Sequence, residues 1–242
     1  MSSIVTPHMD SSARPAPSAN RTRAMWLLIG LLSASVLLAL FGAAVGSTGF
    51  ESLLRLQDDP VARQIITEIR LPRTVGAWLA GGLLGLAGAV AQGLFRNPLA
   101  DPYLLGSASG ATLGGALAMA WMGVSPASAS LLARLGITGV AFFGAAGAVM
   151  LTLVLARGAQ HTLRLLLAGV IVGVVLGAAR DLVELSSPEI LQAMQSFTMG
   201  TTAFVGWTAV LMMLGSWTLC AATAWALARA LDGLTLGEAT AA

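Results

Sequence analysis

The side chains that usually carry enzyme chemistry are scarce in this 242-residue sequence. It contains one cysteine, Cys220, and two histidines, His8 and His161. A single cysteine excludes a disulfide framework and a cysteine-rich metal site, and the two histidines leave no metal-ligand cluster. All 13 basic residues are arginine. The lysine of a Walker A phosphate loop is therefore missing, and this chain cannot hydrolyse ATP by that route.

One short string resembles a serine nucleophile motif in composition only. The string GSASG contains Ser107 and Ser109, but Ala108 occupies the middle position that G-x-S-x-G requires for serine. The only candidate base in the middle of the chain, His161, has no acidic residue near it in the sequence. We therefore predict that the chain is not an enzyme, and we expect no bound cofactor or metal.

Three ionisable residues, Arg180, Asp181 and Glu184, follow a long apolar stretch. Arg180 and Glu184 are four residues apart, so they can pair on one face of a helix. Ionisable groups within a membrane-spanning helix are functional candidates. The alternative is a solvated helix end with a local ion pair, and the sequence leaves both interpretations open.

The composition indicates a membrane protein. Hydrophobic residues make up 56% of the chain and charged residues 10%, with a mean hydropathy of +0.82, whereas soluble domains contain about 25% charged residues. In lipid, long apolar runs satisfy their backbone groups as helices of about 20 residues. We predict an all-α polytopic bundle with six spanning helices, near residues 25–45, 74–95, 103–123, 135–156, 164–185 and 206–228.

The ends and loops complete the predicted organisation. Residues 1–23 are polar and predict a disordered cytoplasmic tail; a cleaved signal peptide is less consistent with the long apolar run and the further spans that follow. The segment 186–205 is less apolar and predicts an interfacial or re-entrant piece. Seven inner against six outer arginines barely favour a cytoplasmic amino terminus, and three arginines in the tail against four in the first outer loop point slightly the other way, so charge leaves the topology open. The net charge of +2 is too small for a nucleic-acid-binding surface.

Glycines at four-residue spacing form a ridge on one face of the fifth predicted helix: Gly169, Gly173 and Gly177. Small residues let membrane helices approach closely. The ridge therefore predicts either tight helix packing or a surface that moves or lines a substrate path.

Two side-chain caps followed by proline predict a turn between the second and third helices. Asn97 precedes Pro98, and Asp101 precedes Pro102. Each pair is a helix-start signal. The family resemblance described below implies that this turn faces the cytoplasm.

Four sequence blocks, in order, carry a family resemblance. The sequence resembles the permease family of bacterial importers for vitamin B12, iron-siderophores and haem, the FecCD type of ABC transporter. The blocks are RLPR at 70–73 with the following glycine-rich helix and QGLFRNPLADPYLLGSASGA at 92–111, RLLLAG at 164–169, FTMG at 197–200, and LDGLTLGE at 231–238.

The resemblance implies an inner-membrane protein with a cytoplasmic amino terminus and about six of the family's roughly ten spans. Residues 24–230 would form the permease domain, and residues 231–242 would begin a cytoplasmic coupling segment. The implied partners are a second permease copy in a homodimer, ATP-binding subunits, a periplasmic substrate-binding protein and the lipid bilayer. Contact with the ATP-binding subunit would involve Leu236, Gly237 and Glu238.

The resemblance also suggests roles for three arginines. Arg70 and Arg73 would lie at the periplasmic surface and pair with carboxylates of the binding protein, which the planar guanidinium can hold with two hydrogen bonds. Snorkelling anchors at a helix end are the alternative. Arg180 would line the translocation path with the glycine ridge and contact an anionic cargo group, such as a haem propionate or a siderophore carboxylate.

The predicted function is therefore that of the transmembrane permease subunit of an ABC importer for an iron chelate, haem or cobalamin. ATP hydrolysis in a partner subunit would drive it. One alternative is an ion-coupled secondary transporter, which should carry carboxylates or histidine deep within a span. The other is a truncated, non-transporting membrane subunit.

Overall fold

The described part of the chain is built from helices and turns. The computed structural model describes residues 17–44, 60–123, 125, 130–157 and 162–228. Within these ranges no residue is in a β-strand, so the predicted all-α class is confirmed. The chain divides into two units, residues 1–63 and 64–242, and each is considered by itself.

In the first unit the described residues include one long helix, α1, Pro17–Ala44. It begins inside the segment 1–23 that was expected to be disordered, so that expectation is wrong for residues 17–23. Adding residues to an already formed apolar helix avoids the cost of nucleation, and proline fits the first helical turn because its missing N–H needs no partner there. The expectation for residues 1–16 lies outside the described residues.

From residue 60 onward the helices follow one another with short connections. In chain order they are α2 Pro60–Ile65, a π-helical turn Ile66–Arg70, α3 Leu71–Phe95, α4 Ser107–Met122, α5 Leu131–Ala156, α6 Thr162–Ser186, a 3₁₀ turn Pro188–Ile190, α7 Leu191–Met199 and α8 Trp207–Ala226.

Five helical segments in the described ranges are long and apolar enough to cross a membrane: Arg21–Ala44, Pro60–Phe95, Leu131–Ala156, Leu163–Ser186 and Trp207–Ala226. The remaining predicted span, 103–123, corresponds to α4, which has 16 residues. At 1.5 Å per residue α4 is about 24 Å long, less than the roughly 30 Å hydrocarbon layer. It starts late because residues 101–106 form turns.

Helix α4 packs against both α5 and α6, and glycines allow the closest approach. A Cβ atom on Gly110 would lie 2.3 Å from the carbonyl oxygen of Gly144, and one on Gly114 would lie 2.6 Å from that of Val140. No other residue type fits at such distances, so backbone-to-backbone contact defines the α4–α5 interface. Helix α3 packs against α8, and Phe95 at its end joins Leu165 of α6 in a buried apolar cluster.

The faces of the helices that point away from these contacts are strongly apolar. Leu132 and Phe143 of α5 are 81% and 74% exposed, and Val174 of α6 is 66% exposed. Large apolar side chains in this density are costly in water. They are compatible with the hydrocarbon layer of a membrane. The chain is therefore a multi-pass membrane protein.

The segment after α6, predicted to be interfacial or re-entrant, forms the short helix α7. Its side chains Ile190 and Met194 are buried in one apolar cluster with Ala116 and Met119 of α4. A turn formed by residues 200–206, here called the α7–α8 turn, then leads into α8. These contacts fix α7 against one end of α4.

Candidate functional site

Arg180, Asp181 and Glu184 form an ion-pair cluster in the last turns of α6. The guanidinium of Arg180 donates to Oδ1 of Asp181 from Nη2 at 2.5 Å and from Nε at 3.1 Å. Oε1 of Glu184 lies 3.2 Å from Nε of Arg180. The pairing expected from the four-residue spacing is present, but the carboxylates outnumber the guanidinium. An anionic ligand would therefore compete with two acids for Arg180.

A polar cavity of about 440 Å³ adjoins this cluster. Its lining residues come from the end of α6 and from α7: Arg180, Glu184, Leu191, Gln192, Met194, Gln195 and Thr198. Two amides, a hydroxyl, a guanidinium and a carboxylate offer both donors and acceptors. Nη1 of Arg180 makes no hydrogen bond within the described part of the chain, so its N–H groups are available to a polar ligand in this cavity, here called the Arg180 cavity.

The three ridge glycines have different surroundings. Gly169 is buried, and a Cβ there would lie 2.0 Å from the carbonyl oxygen of Leu104. At Gly173 the nearest atom would be Oγ of Ser109 at 3.6 Å, and at Gly177 nothing would lie within 4 Å. The ridge is thus a packing contact at Gly169 and opens toward the end that carries Arg180.

Arg70 and Arg73 lie at the beginning of α3 and are half-buried. Arg70 closes the π-helical turn, and Arg73 is in the first turn of α3. Nη2 of Arg73 donates to the carbonyl oxygen of Ala203 at 2.6 Å. Arg73 therefore holds the α7–α8 turn, a contact that the sequence did not predict.

Sequence reasoning also missed a second contact of this turn, made by Arg134, and a contact of the first residue of α8, Trp207. Nη1 of Arg134, from the first turn of α5, donates to the carbonyl oxygen of Phe204 at 2.8 Å. The indole N–H of Trp207 donates to the carbonyl oxygen of Thr67 at 2.9 Å. Arg134 is the single charged residue between Asp101 and Arg157, and that isolation was the available signal.

The turn between α3 and α4 is capped by side chains. Oδ1 of Asn97 accepts the backbone N–H of Leu99 at 2.9 Å, and Oδ1 of Asp101 accepts that of Tyr103 at 2.7 Å. The prolines that follow these caps are Pro98 and Pro102. Both polar side chains are thus used locally to shape the turn.

Some candidate residues lie outside the described residues. These are the predicted coupling residues Leu236, Gly237 and Glu238, and also His161. Among the described residues, no group of three or more His, Cys, Asp or Glu side chains could hold a metal ion.

The sequence matches a known transport family. Residues 27–242 match the FecCD transport family. The ferric enterobactin transport system permease protein FepD of Escherichia coli is 37% identical over 183 residues, 73% of this chain and 52% of FepD. The hemin transport system permease protein HmuU of Yersinia pestis is 36% identical over 192 residues, 77% of this chain and 56% of HmuU. The vitamin B12 import system permease protein BtuC of Citrobacter koseri is 38% identical over 155 residues, 62% of this chain and 44% of BtuC.

The chain therefore spans about half the length of these relatives. The fold is also similar to a solved ABC transporter assigned to the metal-chelate type, in an inward-facing conformation. The TM-score is 0.74 at 29% identity, over 88% of this chain and 65% of the other. Because the family match covers most of the sequence, this chain belongs to the FecCD transport family.

Proposed function

We propose that this chain forms the transmembrane pathway of an ABC importer for an iron chelate, haem or cobalamin in the bacterial inner membrane. The observation that carries the proposal is the match of residues 27–242 to a transport family whose relatives here are named for ferric enterobactin, hemin and vitamin B12. Two copies would enclose the path, and the amino terminus would be cytoplasmic.

The energy for transport would come from a separate subunit. This chain has no lysine and no Walker A string, so ATP would bind to a partner. Helices packed through glycine contacts, as α4 and α5 are, can move as rigid elements in alternating access. The direct test is co-purification of the full permease with an ATP-binding subunit, followed by ATP-dependent uptake into proteoliposomes. Uptake driven by an ion gradient without ATP would instead support a secondary transporter.

The proposed path for cargo runs along the open part of the glycine ridge. Gly173, Gly177 and Arg180 follow one another at helical spacing along α6, and Arg180 lines the Arg180 cavity. Arg180→Ala should lower uptake of a carboxylate-bearing cargo by about tenfold, because one charge-assisted hydrogen bond is lost. Gly177→Leu should lower uptake by narrowing the path. Unchanged uptake in both variants would remove this face from the path.

The proposed docking site for the substrate-binding protein consists of Arg70 and Arg73. Reversing both charges to glutamate should weaken docking by at least about tenfold, because attraction to carboxylates becomes repulsion. Arg96→Glu is a matched control at the other end of α3. Binding of the purified binding protein to the permease in nanodiscs measures the effect. Equal affinity for the double variant and the parent would exclude both arginines.

The proposed contact with the ATP-binding subunit involves Leu236, Gly237 and Glu238. Leu236→Asp should reduce co-purification of the ATP-binding subunit, because a charge would replace an apolar contact at the interface. Thr235→Asp provides a neighbouring control for added charge. Retention of the subunit by the Leu236 variant would place the coupling contact elsewhere.

A further inference from the structure

The α7–α8 turn is held by two arginines from different helices. Arg73 of α3 binds the carbonyl oxygen of Ala203, and Arg134 of α5 binds that of Phe204, the next residue. These bonds join residues 130 and 70 positions apart. The two guanidinium groups therefore fix adjacent carbonyls of the turn from two separate helices.

The same turn also packs closely against α3. A Cβ on Gly76 would lie 2.7 Å from Cγ1 of Val205, so Val205 occupies the space that any larger residue would need. Gly76 is one helical turn from Arg73, and both therefore face the turn. Two arginines and a glycine thus hold the turn against the helices in this position.

The seated turn is continuous with the helix that lines the Arg180 cavity. Gly200, with φ +74°, follows the last residue of α7 directly. Gln192, Gln195 and Thr198 of α7 line the cavity, and the nine-residue helix is about 14 Å long. Displacement of the turn would therefore move one wall of the cavity.

Arg73 retains donors that the turn does not use. Its Nε and Nη1 groups make no hydrogen bond to any described residue. A carboxylate accepts charge-assisted hydrogen bonds roughly twice as strong as those accepted by a neutral carbonyl. A carboxylate that draws the guanidinium toward itself would therefore weaken the Arg73–Ala203 bond.

We propose that Arg73 couples docking to α7: a carboxylate of the binding protein draws Arg73 away from Ala203, which releases the α7–α8 turn and shifts the wall of the Arg180 cavity. The inference rests on the docking role proposed above. Arg73 is then both a docking residue and a positioning residue. Because the coupling between docking and release of the turn is reciprocal, any change that releases the turn must raise the affinity for the binding protein.

The test uses variants that weaken the contacts of the α7–α8 turn and leave the proposed docking residues Arg70 and Arg73 unchanged. Arg134→Gln removes the second carbonyl contact, and Gly76→Ala pushes against Val205. Each should tighten docking by about fivefold, the lower range of allosteric coupling. Gly81→Ala is the control on α3, since nothing lies within 4 Å of a Cβ there. The affinity of the binding protein for the complete transporter in nanodiscs is the readout.

Three further variants separate the possible failures. In an Arg73→Gln background, Arg134→Gln should no longer tighten docking, because the coupling passes through Arg73. Unchanged or weaker docking in both Arg134→Gln and Gly76→Ala would overturn the coupling while leaving the docking site intact. If Arg70→Gln and Arg73→Gln each leave docking unchanged, the proposed docking function itself is wrong.

Discussion

Thr152 is the fully buried polar residue of α5, and its hydroxyl donates to the carbonyl oxygen of Leu105 at 2.9 Å. That carbonyl belongs to the turn before α4, so the bond connects α5 to the start of the short central helix. A buried carbonyl that loses its donor costs free energy because neither water nor lipid replaces the bond. A single hydroxyl thus helps to set where α4 begins.

Thr152→Val should lower the free energy of unfolding by about 1–3 kcal/mol, since it keeps the side-chain shape and deletes the donor. Thr152→Ser keeps the hydroxyl and should lie closer to the parent. Reversible denaturation in mixed micelles measures both. If the valine variant were as stable as the parent and the serine variant were not, packing of the methyl group would be the contribution that matters.

At Arg180 we predict that removing a neighbouring charge raises the affinity for an anionic ligand. Glu184 is 21% exposed and competes with any anionic ligand for the guanidinium. Glu184→Gln should therefore increase the affinity for a carboxylate-bearing cargo by a few fold, while stability changes by less than about 1 kcal/mol, as expected for a partly exposed ion pair.

Cargo binding to the detergent-solubilised transporter, measured beside an Arg180→Ala/Glu184→Gln double variant, checks this prediction. The gain should vanish in the double variant, because the guanidinium that binds the anion is gone. A gain that persists without Arg180 would mean that Glu184 acts on the cargo by direct repulsion instead.

Contacts between residues close together in the sequence could be predicted, and contacts between residues far apart in the sequence could not. The caps at Asn97 and Asp101 bond within two residues, so the local sequence contains the whole signal. The contact of Arg73 with Ala203 crosses 130 residues and ends on a backbone carbonyl, which has no residue-type signature. The sequence consequently indicated that Arg73 was important but not what it contacts.

At the scale of the helices, the length of the apolar runs predicted the positions of the long helices but not the bounds of the short ones. Long charge-free runs must be helical in lipid, so α3, α5, α6 and α8 lie close to their predicted positions. Helix α4 is shorter than predicted because it is enclosed by α5 and α6 and need not itself match the hydrocarbon thickness. The order within segment 186–205 arises from burial of Ile190 and Met194 against α4, a tertiary effect.

The α4–α5 interface should be intolerant of a single methyl group. Gly110→Ala places Cβ 2.3 Å from a backbone oxygen, and the two helices must separate to admit it. We expect a loss of about 1–3 kcal/mol in the free energy of unfolding. Gly147→Ala, on α5 with nothing within 4 Å, should be neutral. Thermal unfolding in one detergent compares the pair, and equal melting temperatures would contradict the close contact.

For the whole molecule, the distribution of charge leaves the orientation weakly specified. The thirteen arginines are divided almost evenly between the two predicted sides, whereas a strong excess of arginine on one side would have fixed the topology. In a helical membrane protein, two loops lie on opposite sides of the bilayer when an odd number of spanning helices separates them. Three helices, α4, α5 and α6, separate Leu99 from Glu189.

These two residues should therefore lie on opposite sides of the membrane. With a cytoplasmic amino terminus, Leu99→Cys is internal and Glu189→Cys is periplasmic; both positions are exposed. In a Cys220→Ser background, a membrane-impermeant maleimide applied to spheroplasts should label only the Glu189 variant, and both variants should react after permeabilisation. Labelling of the Leu99 variant alone would reverse the proposed topology. Labelling of both in intact spheroplasts would mean that one of the three helices, α4 being the shortest, does not cross the bilayer.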